Sequence, residues 1–313
     1  FLIILYTLMA MGAFNSSYGK STNFNYSAKN ISNYFSALIS FYDQDYIKSQ
    51  EFFKRIGDSR KDNSSHSSKH IQSLINLQRY TEAIRYSRSL ENKKISNFES
   101  KLILGLEELK KGNSFKAKIY FNQMSLGTEH RPVFGVLKTS LKNWASIEKL
   151  KKEGTISSIE NMPDRYNNFK AIQRMLAHCF FDTSQTEKIF KEISGDKKNN
   201  FSRYYFFFAN YLLNKNNEFK AKEIINYASN KHPKNLLINQ FKKTLVENKK
   251  NHNKFDCKNN NHIVAEIFYV IANALSTQGN YELSNFYANL SKYLNPHFSS
   301  YNSLIAENFF ILK

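Results

Sequence analysis

The feature that most constrains the fold is a spacing of 34 residues between similar positions. Small residues recur at this interval, as Ser49, Ala83 and Ala117. Within each repeat, two further positions, four and seven residues after the small residue, also recur every 34 residues. The three positions of one repeat therefore lie along one stripe of a helix. A small residue lets two helices approach closely, and the spacing therefore predicts repeated pairs of antiparallel helices. The additional columns contain Phe53, Ser87 and Phe121, then Ile56, Leu90 and Met124.

Two later segments, 202–234 and 265–296, repeat the same order of features. In each, an apolar helix is followed by a polar turn, a small residue and a second helix. Proline cannot continue a helix because it lacks the backbone N–H, so Pro233 and Pro296 are expected to close these units. The matching positions are Ala209, Ala221 and Ala228 in the first segment, and Ala272, Gly279, Tyr281, Ser284 and Ala288 in the second.

These columns resemble the tetratricopeptide repeat (TPR) family, whose units place two antiparallel helices in about 34 residues. The resemblance implies an all-α fold, a right-handed α-solenoid of antiparallel helix pairs, with helices throughout and essentially no strand. Two positions depart from the family pattern. Alanine is usual at the position of Ser284, and a larger residue is usual at that of Ala288.

The pattern divides the chain into four regions. Residues 1–19 are predicted to be a signal peptide or an N-terminal anchor, and residues 20–131 to form three TPR-like units. Residues 132–201 keep a helical periodicity without the small-residue column, so we interpret them as degenerate helical repeats. Residues 202–313 are predicted to contain further TPR-like units, the last of them truncated, and the sequence is interpreted as a fragment.

The apolar run from Phe1 to Phe14, followed by the small residues Ser17 and Gly19, is typical of a secretory signal peptide. We therefore expect export across the inner membrane of a bacterial envelope, with a mature protein that begins near Lys20. An uncleaved anchor that associates with the membrane through residues 1–14 and a buried first helix are the alternatives. The expected location is accordingly periplasmic or membrane-anchored.

The chain carries a formal net charge of +19, and only nine of its 45 basic residues are arginine. Proteins that read bases or bind phosphates through a planar fork favour arginine, so nucleic acid is not the expected partner. Lysines spread over solvated helix faces are the preferred interpretation. A basic surface that holds an anionic polymer, such as nucleic acid, polysaccharide or lipid, is the alternative.

Cysteine and histidine give few signs of a special site. Cys179 and Cys257 are interpreted as two free thiols, the first of them buried, with a disulfide as the alternative. His66 and His70 lie one helical turn apart and are expected to be a solvated pair, because no third metal ligand is near them in the sequence. The polar segment that holds His252, Asp256, Cys257 and His262 lacks the ligand spacing of a zinc finger, so neither a metal nor another cofactor is expected.

No nucleotide-binding or hydrolase motif occurs in the chain, and its function is expected to be non-enzymatic. The resemblance implies a concave groove, lined by the first helix of each unit, that binds a protein or peptide. Asn210 and Asn273 fall at the same place in their units, and the resemblance implies that an asparagine there pairs with a peptide bond. The plain alternative is that asparagine is common in this chain. The predicted groove residues are Tyr34, Leu38, Tyr42, Gln72, Leu102, Leu106, Arg203, Phe206, Asn210, Glu266, Tyr269 and Asn273.

Three functions are open at this point. The first is a scaffold or adaptor that binds proteins or peptides in its groove. The second is a basic surface that binds an anionic polymer. The third is a helical platform for a larger enzyme whose catalytic part is missing from the sequence.

Overall fold

The structure, a computed structural model, describes residues 27–56, 64–125, 132–247 and 253–311. Within these ranges the chain forms sixteen α-helices and one 3-10 turn without any strand, which confirms the all-α expectation. None of the described helices combines the length and the apolar character that a membrane span requires. The predicted signal segment, 1–19, lies outside the described residues.

In chain order the helices are α1 (Ala28–Tyr42), α2 (Tyr46–Arg55), α3 (Ser64–Asn76), α4 (Tyr80–Asn92), α5 (Phe98–Lys110), α6 (Ser114–Gln123), α7 (Pro132–Trp144), α8 (Ile147–Glu160), α9 (Asn167–Phe181), α10 (Thr186–Ser194), α11 (Arg203–Asn214), α12 (Glu218–Lys231), α13 (Leu236–Val246), α14 (Asn260–Thr277), α15 (Tyr281–Leu294) and α16 (Ser300–Ile311). The 3-10 turn covers Asp164–Tyr166. Except for α13 and α14, consecutive described helices pack against each other, and the pairs α1–α2, α5–α6, α11–α12 and α14–α15 make the most extensive contacts.

The small-residue column lies where the two helices of a pair touch. Its members have no exposed surface at all, because the partner helix covers them. Two of them are serines, and each donates a hydrogen bond across the pair to a backbone carbonyl twelve residues earlier. Ser49 Oγ lies 3.0 Å from the Ala37 oxygen, and Ser284 Oγ lies 2.7 Å from the Ala272 oxygen. Serine therefore replaces alanine without an unsatisfied hydroxyl. The column comprises Ser49, Ala83, Ala117, Ala221 and Ser284.

A second column, which the sequence reasoning missed, lies in the turns inside the pairs. The residue five positions before each small residue has a left-handed backbone, with φ between 57° and 82°. This conformation ends the first helix of the pair and redirects the chain into the second. Only two of the five positions are glycine, and glutamine or asparagine fills the others, so composition alone does not reveal the column. Its members are Gln44, Gln78, Gly112, Asn216 and Gly279.

The C-terminal part of the chain returns to pack against the N-terminal units. Helix α15 contacts α3, and α14 contacts α7 and α9. The Lys69 ammonium lies 2.9 Å from the Glu282 carboxylate, and the Tyr80 hydroxyl donates to the Asn289 carbonyl at 2.9 Å. The Lys110 ammonium similarly donates to the Tyr293 carbonyl at 2.8 Å. In an open solenoid each unit contacts only its neighbours. The return of α14 and α15 is therefore an addition to the repeat architecture.

Because of these contacts with the N-terminal units, the α14–α15 pair is buried on more than one side. Nine side chains of each helix are buried, more than one amphipathic stripe supplies. Polar side chains inside the pair are joined to each other and to α16. The Asn308 amide donates to both Ser284 Oγ and Asn285 Oδ1 at 2.8 Å, and Ser276 donates to the Asn308 amide oxygen at 2.6 Å. These hydrogen bonds offset much of the penalty that burial of the groups would otherwise carry.

A disulfide joins Cys179, at the end of α9, to Cys257, just before α14. The interpretation of the two cysteines as free thiols is therefore wrong. The two residues are 78 apart in sequence, and the packing of α14 against α9 brings their Cα atoms to 5.8 Å. The disulfide was the alternative interpretation, and the sequence could not favour it because the pairing depends on a contact between distant helices.

The small-residue column gives a stability prediction. Replacing Ala117, which is fully buried, by leucine overpacks the contact between α5 and α6, and we expect a loss of about 1–3 kcal/mol in the free energy of unfolding. The matched control is Ala274→Leu, since Ala274 is an exposed position of α14 and should tolerate the larger side chain. Urea titration followed by the fluorescence of the single tryptophan, Trp144, measures both variants. Equal stability of the two variants would contradict the assigned register.

Candidate functional site

The predicted groove residues differ widely in exposure. Four of them are fully buried, and Gln72 is nearly so, with its amide donating to the Glu99 carboxylate at 2.8 Å. These five side chains are packed in the interior and have little or no surface to offer a ligand. The four fully buried residues are Leu102, Leu106, Phe206 and Glu266.

Arg203 and Glu266, predicted from two different units, form an ion pair with each other. The guanidinium Nε and Nη2 atoms each lie 2.8 Å from a different oxygen of the Glu266 carboxylate. This two-point geometry is the strongest arrangement of an arginine with a carboxylate. Two more groups complete it, since the Tyr204 hydroxyl donates to Glu266 at 3.3 Å and Arg203 donates to Ser300 Oγ at 2.6 Å. The pair therefore joins α11, α14 and the start of α16.

Aromatic rings surround the guanidinium of this pair. The carbon at its centre lies 3.9 Å from the ring centroid of Tyr269 and 4.8 Å from that of Phe298. Burial opposes the charge on Arg203, but Glu266 outweighs it and holds the pKa of the guanidinium above its ordinary value. Burial raises the pKa of the Tyr269 phenol, which therefore stays neutral. Arg203, Glu266 and Tyr269 thus contact each other, and Phe206 packs nearby against Phe298.

We expect a single substitution in this buried pair to lower the free energy of unfolding more than substitution of both residues. Arg203→Met alone leaves a buried carboxylate without its cation and should cost about 3–5 kcal/mol, whereas Arg203→Met with Glu266→Leu should cost less because no charge is stranded. Lys188→Met, which breaks an exposed pair within α10, is the control and should change stability by at most about 1 kcal/mol. Denaturant titrations compare the variants. A single Arg203 variant as stable as the control would contradict a buried, structural pair.

The two asparagines predicted at equivalent positions have different surroundings. Asn273 is exposed. Asn210 donates its amide to the Phe206 carbonyl at 2.9 Å and lines a cleft of about 670 Å³ beside the disulfide. The cleft also contains Lys254, Asp256 and His262. A shared role for the two amides stays a prediction from the repeat alignment.

The candidate metal ligands do not form a site in the described part of the chain. No group of three or more histidine, cysteine or acidic side chains that could hold a metal occurs among the described residues. Cys257 is bonded to Cys179, and the ring nitrogen Nδ1 of His262 accepts the backbone N–H of Asp256 at 3.0 Å. Burial lowers the pKa of His262, so its ring is neutral at neutral pH. His252 lies outside the described residues.

His66 and His70 are buried, so the expectation of a solvated pair is wrong. Their exposed fractions are 1% and 9%. The ring of Phe53 lies between helices α2 and α3, and its centroid is 5.0 Å from that of the His66 ring and 5.2 Å from that of the His70 ring. The centroids of the Tyr86 and His70 rings are 4.3 Å apart. The packing of α3 between α2 and α4 covers both rings. They are part of the aromatic interior of the first units.

Helix α1 carries the largest exposed apolar surface among the predicted groove helices. Its inner side, which includes Ala37 and Phe41, packs against α2 and α3. Its outer side exposes Phe35 (58%), Ile39 (62%) and Tyr42 (60%), and Ile31 continues the same stripe one turn earlier. Tyr34 and Leu38 border it and are partly exposed. We refer to Ile31, Phe35, Ile39 and Tyr42 as the α1 stripe.

The sequence reasoning identified only Tyr42 of the α1 stripe. The signal was present, because apolar residues occupy both faces of α1 in the sequence, whereas a helix buried on one face has a polar opposite side. The register assigned to the groove placed Tyr34 and Leu38 on the binding face. The exposed residues Phe35 and Ile39 each follow one of these two positions directly, so the exposed stripe lies on the adjacent face of the helix.

Comparison of the chain with protein-family models and with curated proteins gave no match. The resemblance to tetratricopeptide repeats therefore remains a prediction from the residue pattern.

Proposed function

We propose that the chain is a non-enzymatic, TPR-like scaffold that binds a segment of another protein, and that the α1 stripe is the binding surface. The repeated small-residue column and the left-handed turn column support the TPR-like assignment. The right-handed superhelix expected of that family belongs to this proposal. Because the later groove residues are buried, we assign binding to α1, the first described helix, rather than to the middle of the stack.

The observation that carries the proposal is the exposure of the α1 stripe. Contiguous apolar surface of this kind is uncommon on soluble proteins unless it contacts a partner or a membrane. Four apolar side chains spaced one helical turn apart, each more than a third exposed, form a continuous ridge. Elsewhere the exposed apolar residues are fewer along each helix, such as Phe115 with Ile119 on α6 and Phe219 with Tyr227 on α12.

The occupant that fits this surface is an amphipathic helix. In the described chain the buried apolar face of a helix is covered by neighbouring helices of the stack, and α1 is the first described helix. Apolar residues at intervals of three and four form ridges that pack into the groove of a facing helix. Recognition of an amphipathic helix by such a surface is a recurrent mode of protein binding.

Export of the chain is part of the same proposal. The disulfide between Cys179 and Cys257 supports it, because disulfides persist in oxidising compartments such as the periplasm and are rare in a reducing cytosol. The apolar run in residues 1–14 supports either a cleaved signal or a membrane anchor. A partner in the cell envelope is therefore proposed.

Site-specific photo-crosslinking tests the α1 stripe. A photoreactive phenylalanine analogue replaces Phe35 in the full chain, which is expressed in the organism that encodes it, and Ile39→Asp is combined with it in a second strain. We expect one dominant protein adduct at Phe35 that Ile39→Asp removes, and mass spectrometry of the adduct should place the crosslink in a helical segment. The control position is Phe115, an aromatic residue that is 80% exposed.

Binding of the identified segment is then measured across a salt series. Apolar contact predicts an affinity that changes little with salt, whereas a charged surface that holds an anionic polymer predicts a steep fall. Equal adducts at Phe35 and Phe115, adducts that survive Ile39→Asp, or a steep salt dependence would each reject the α1 stripe as the binding surface. A catalytic platform would be indicated by a partner that acts as an enzyme only when bound.

A further inference from the structure

A cleft of about 750 Å³ lies between α7, the second half of α8 and the 3-10 turn. Helix α8 is broken at Lys151, whose backbone angles (φ 54°, ψ −168°) are not helical, so its second half takes a direction of its own. Gly135 on α7 and Gly154 on α8 both line the cleft, and neither adds a side chain to its walls. Val136 and Met162, which are mostly buried, supply an apolar part of the lining.

The charges that line this cleft are all positive. Lys138, Lys142 and Arg165 belong to the lining, and no carboxylate does. Another cleft, beside α10, gives the contrast, since three acidic side chains there, Asp182 among them, balance three lysines. The cationic cleft therefore attracts anions, whereas the balanced cleft does not.

The acidic residues nearest to the cleft in sequence are paired with cations outside it. Glu153 lies 3.1 Å from the Lys152 ammonium, Glu160 lies 3.4 Å from the Arg174 guanidinium, and Asp164 lies 3.0 Å from the Lys170 ammonium. None of these three cations lines the cleft. The side chain of Arg165, stacked 5.0 Å from the centroid of the Tyr166 ring, is presented at the rim.

Lys138 and Lys142 lie one turn apart on α7, with like charges on the same side of the helix. Lys138 donates to the Met124 carbonyl at 2.6 Å, which orients its ammonium but does not neutralise it. Burial, and then the charge of Lys142, lower the pKa of Lys138. An anion bound between the two lysines would relieve both costs.

We propose that this cleft binds a phosphate group carried on a small polar molecule or a lipid headgroup. A phosphate monoester carries about −1.5 to −2 charges at neutral pH, which matches several cations better than a carboxylate does. The planar guanidinium of arginine can donate two hydrogen bonds to phosphate oxygens, and the ammonium of lysine acts as a compact positive charge. The hydroxyls of Ser157 and Ser158 and the amide of Asn161 also line the cleft and offer further donors. This site is separate from the α1 stripe and does not depend on the proposed protein partner.

Calorimetric titration of the full chain with glycerol 3-phosphate, inorganic phosphate and vesicles that contain phosphatidic acid tests the cleft. The test variant carries Lys142→Gln and Arg165→Gln, and the matched control is Lys234→Gln, which removes an exposed lysine elsewhere. We expect the double variant to weaken binding by about tenfold or more, because two charge-assisted hydrogen bonds are lost, and the control to bind as the parent does. Emission of Trp144, two residues from Lys142, verifies that each variant is folded.

The three ligands separate the sources of the phosphate. Binding of glycerol 3-phosphate or inorganic phosphate that the double variant loses supports a small soluble ligand. Binding of the vesicles alone, again lost in the double variant, supports a lipid headgroup. Absence of binding to all three ligands, or binding that the folded double variant keeps, overturns the proposal. An equal loss in Lys234→Gln also overturns it, because the effect would then come from net charge.

Discussion

The burial of the α14–α15 pair against the N-terminal units is the constraint on which the rest of the structure depends. A repeat unit of this kind is amphipathic, and in a simple stack it covers only its neighbours. Here α14 and α15 are covered by α3, α7, α9 and α16, so the most recognisable repeat in the sequence is also the most enclosed. The disulfide and the Arg203–Glu266 pair act on the same return, since one ties α9 to the start of α14 and the other ties α11 to α14.

This enclosure changes what the predicted groove can do. Residues that a repeat alignment assigns to one concave surface, such as Phe206 and Glu266, are packed against other parts of the chain. The Glu266 carboxylate already accepts hydrogen bonds from Arg203 and Tyr204, so a ligand would have to displace this ion pair to reach it. Two surfaces that stay open are the apolar stripe of α1 and the cationic cleft beside α7. They are the sites proposed for a helix of another protein and for a phosphate group.

The sequence was sufficient to predict helical pairs because their contacts are local. Ala83 and Ala117 recur at a fixed interval, and a small residue at a close helix contact follows from geometry alone. The left-handed turn positions could not be predicted from composition, because glutamine or asparagine, and not glycine, occupies three of the five, including Gln44 and Gln78. The return of α15 to α3 depends on single side chains such as Lys69 and Glu282, which carry no periodic signal. The disulfide and the burial of Glu266 involve α14, so the sequence could not favour the disulfide over free thiols and could not predict the burial of Glu266.

The contact between α15 and α3 can be tested most directly by carbodiimide crosslinking, which joins an ammonium and a carboxylate only when they touch. Lys69 and Glu282 are 213 residues apart in sequence, and their charged atoms lie 2.9 Å apart. The Lys101–Glu91 pair, at 2.8 Å between neighbouring helices, serves as the internal control that forms in either arrangement. Peptide mapping of the crosslinked monomer should recover both the Lys101–Glu91 and the Lys69–Glu282 links. Recovery of the Lys101–Glu91 link without the Lys69–Glu282 link would show an open stack and would contradict the packing of α15 against α3.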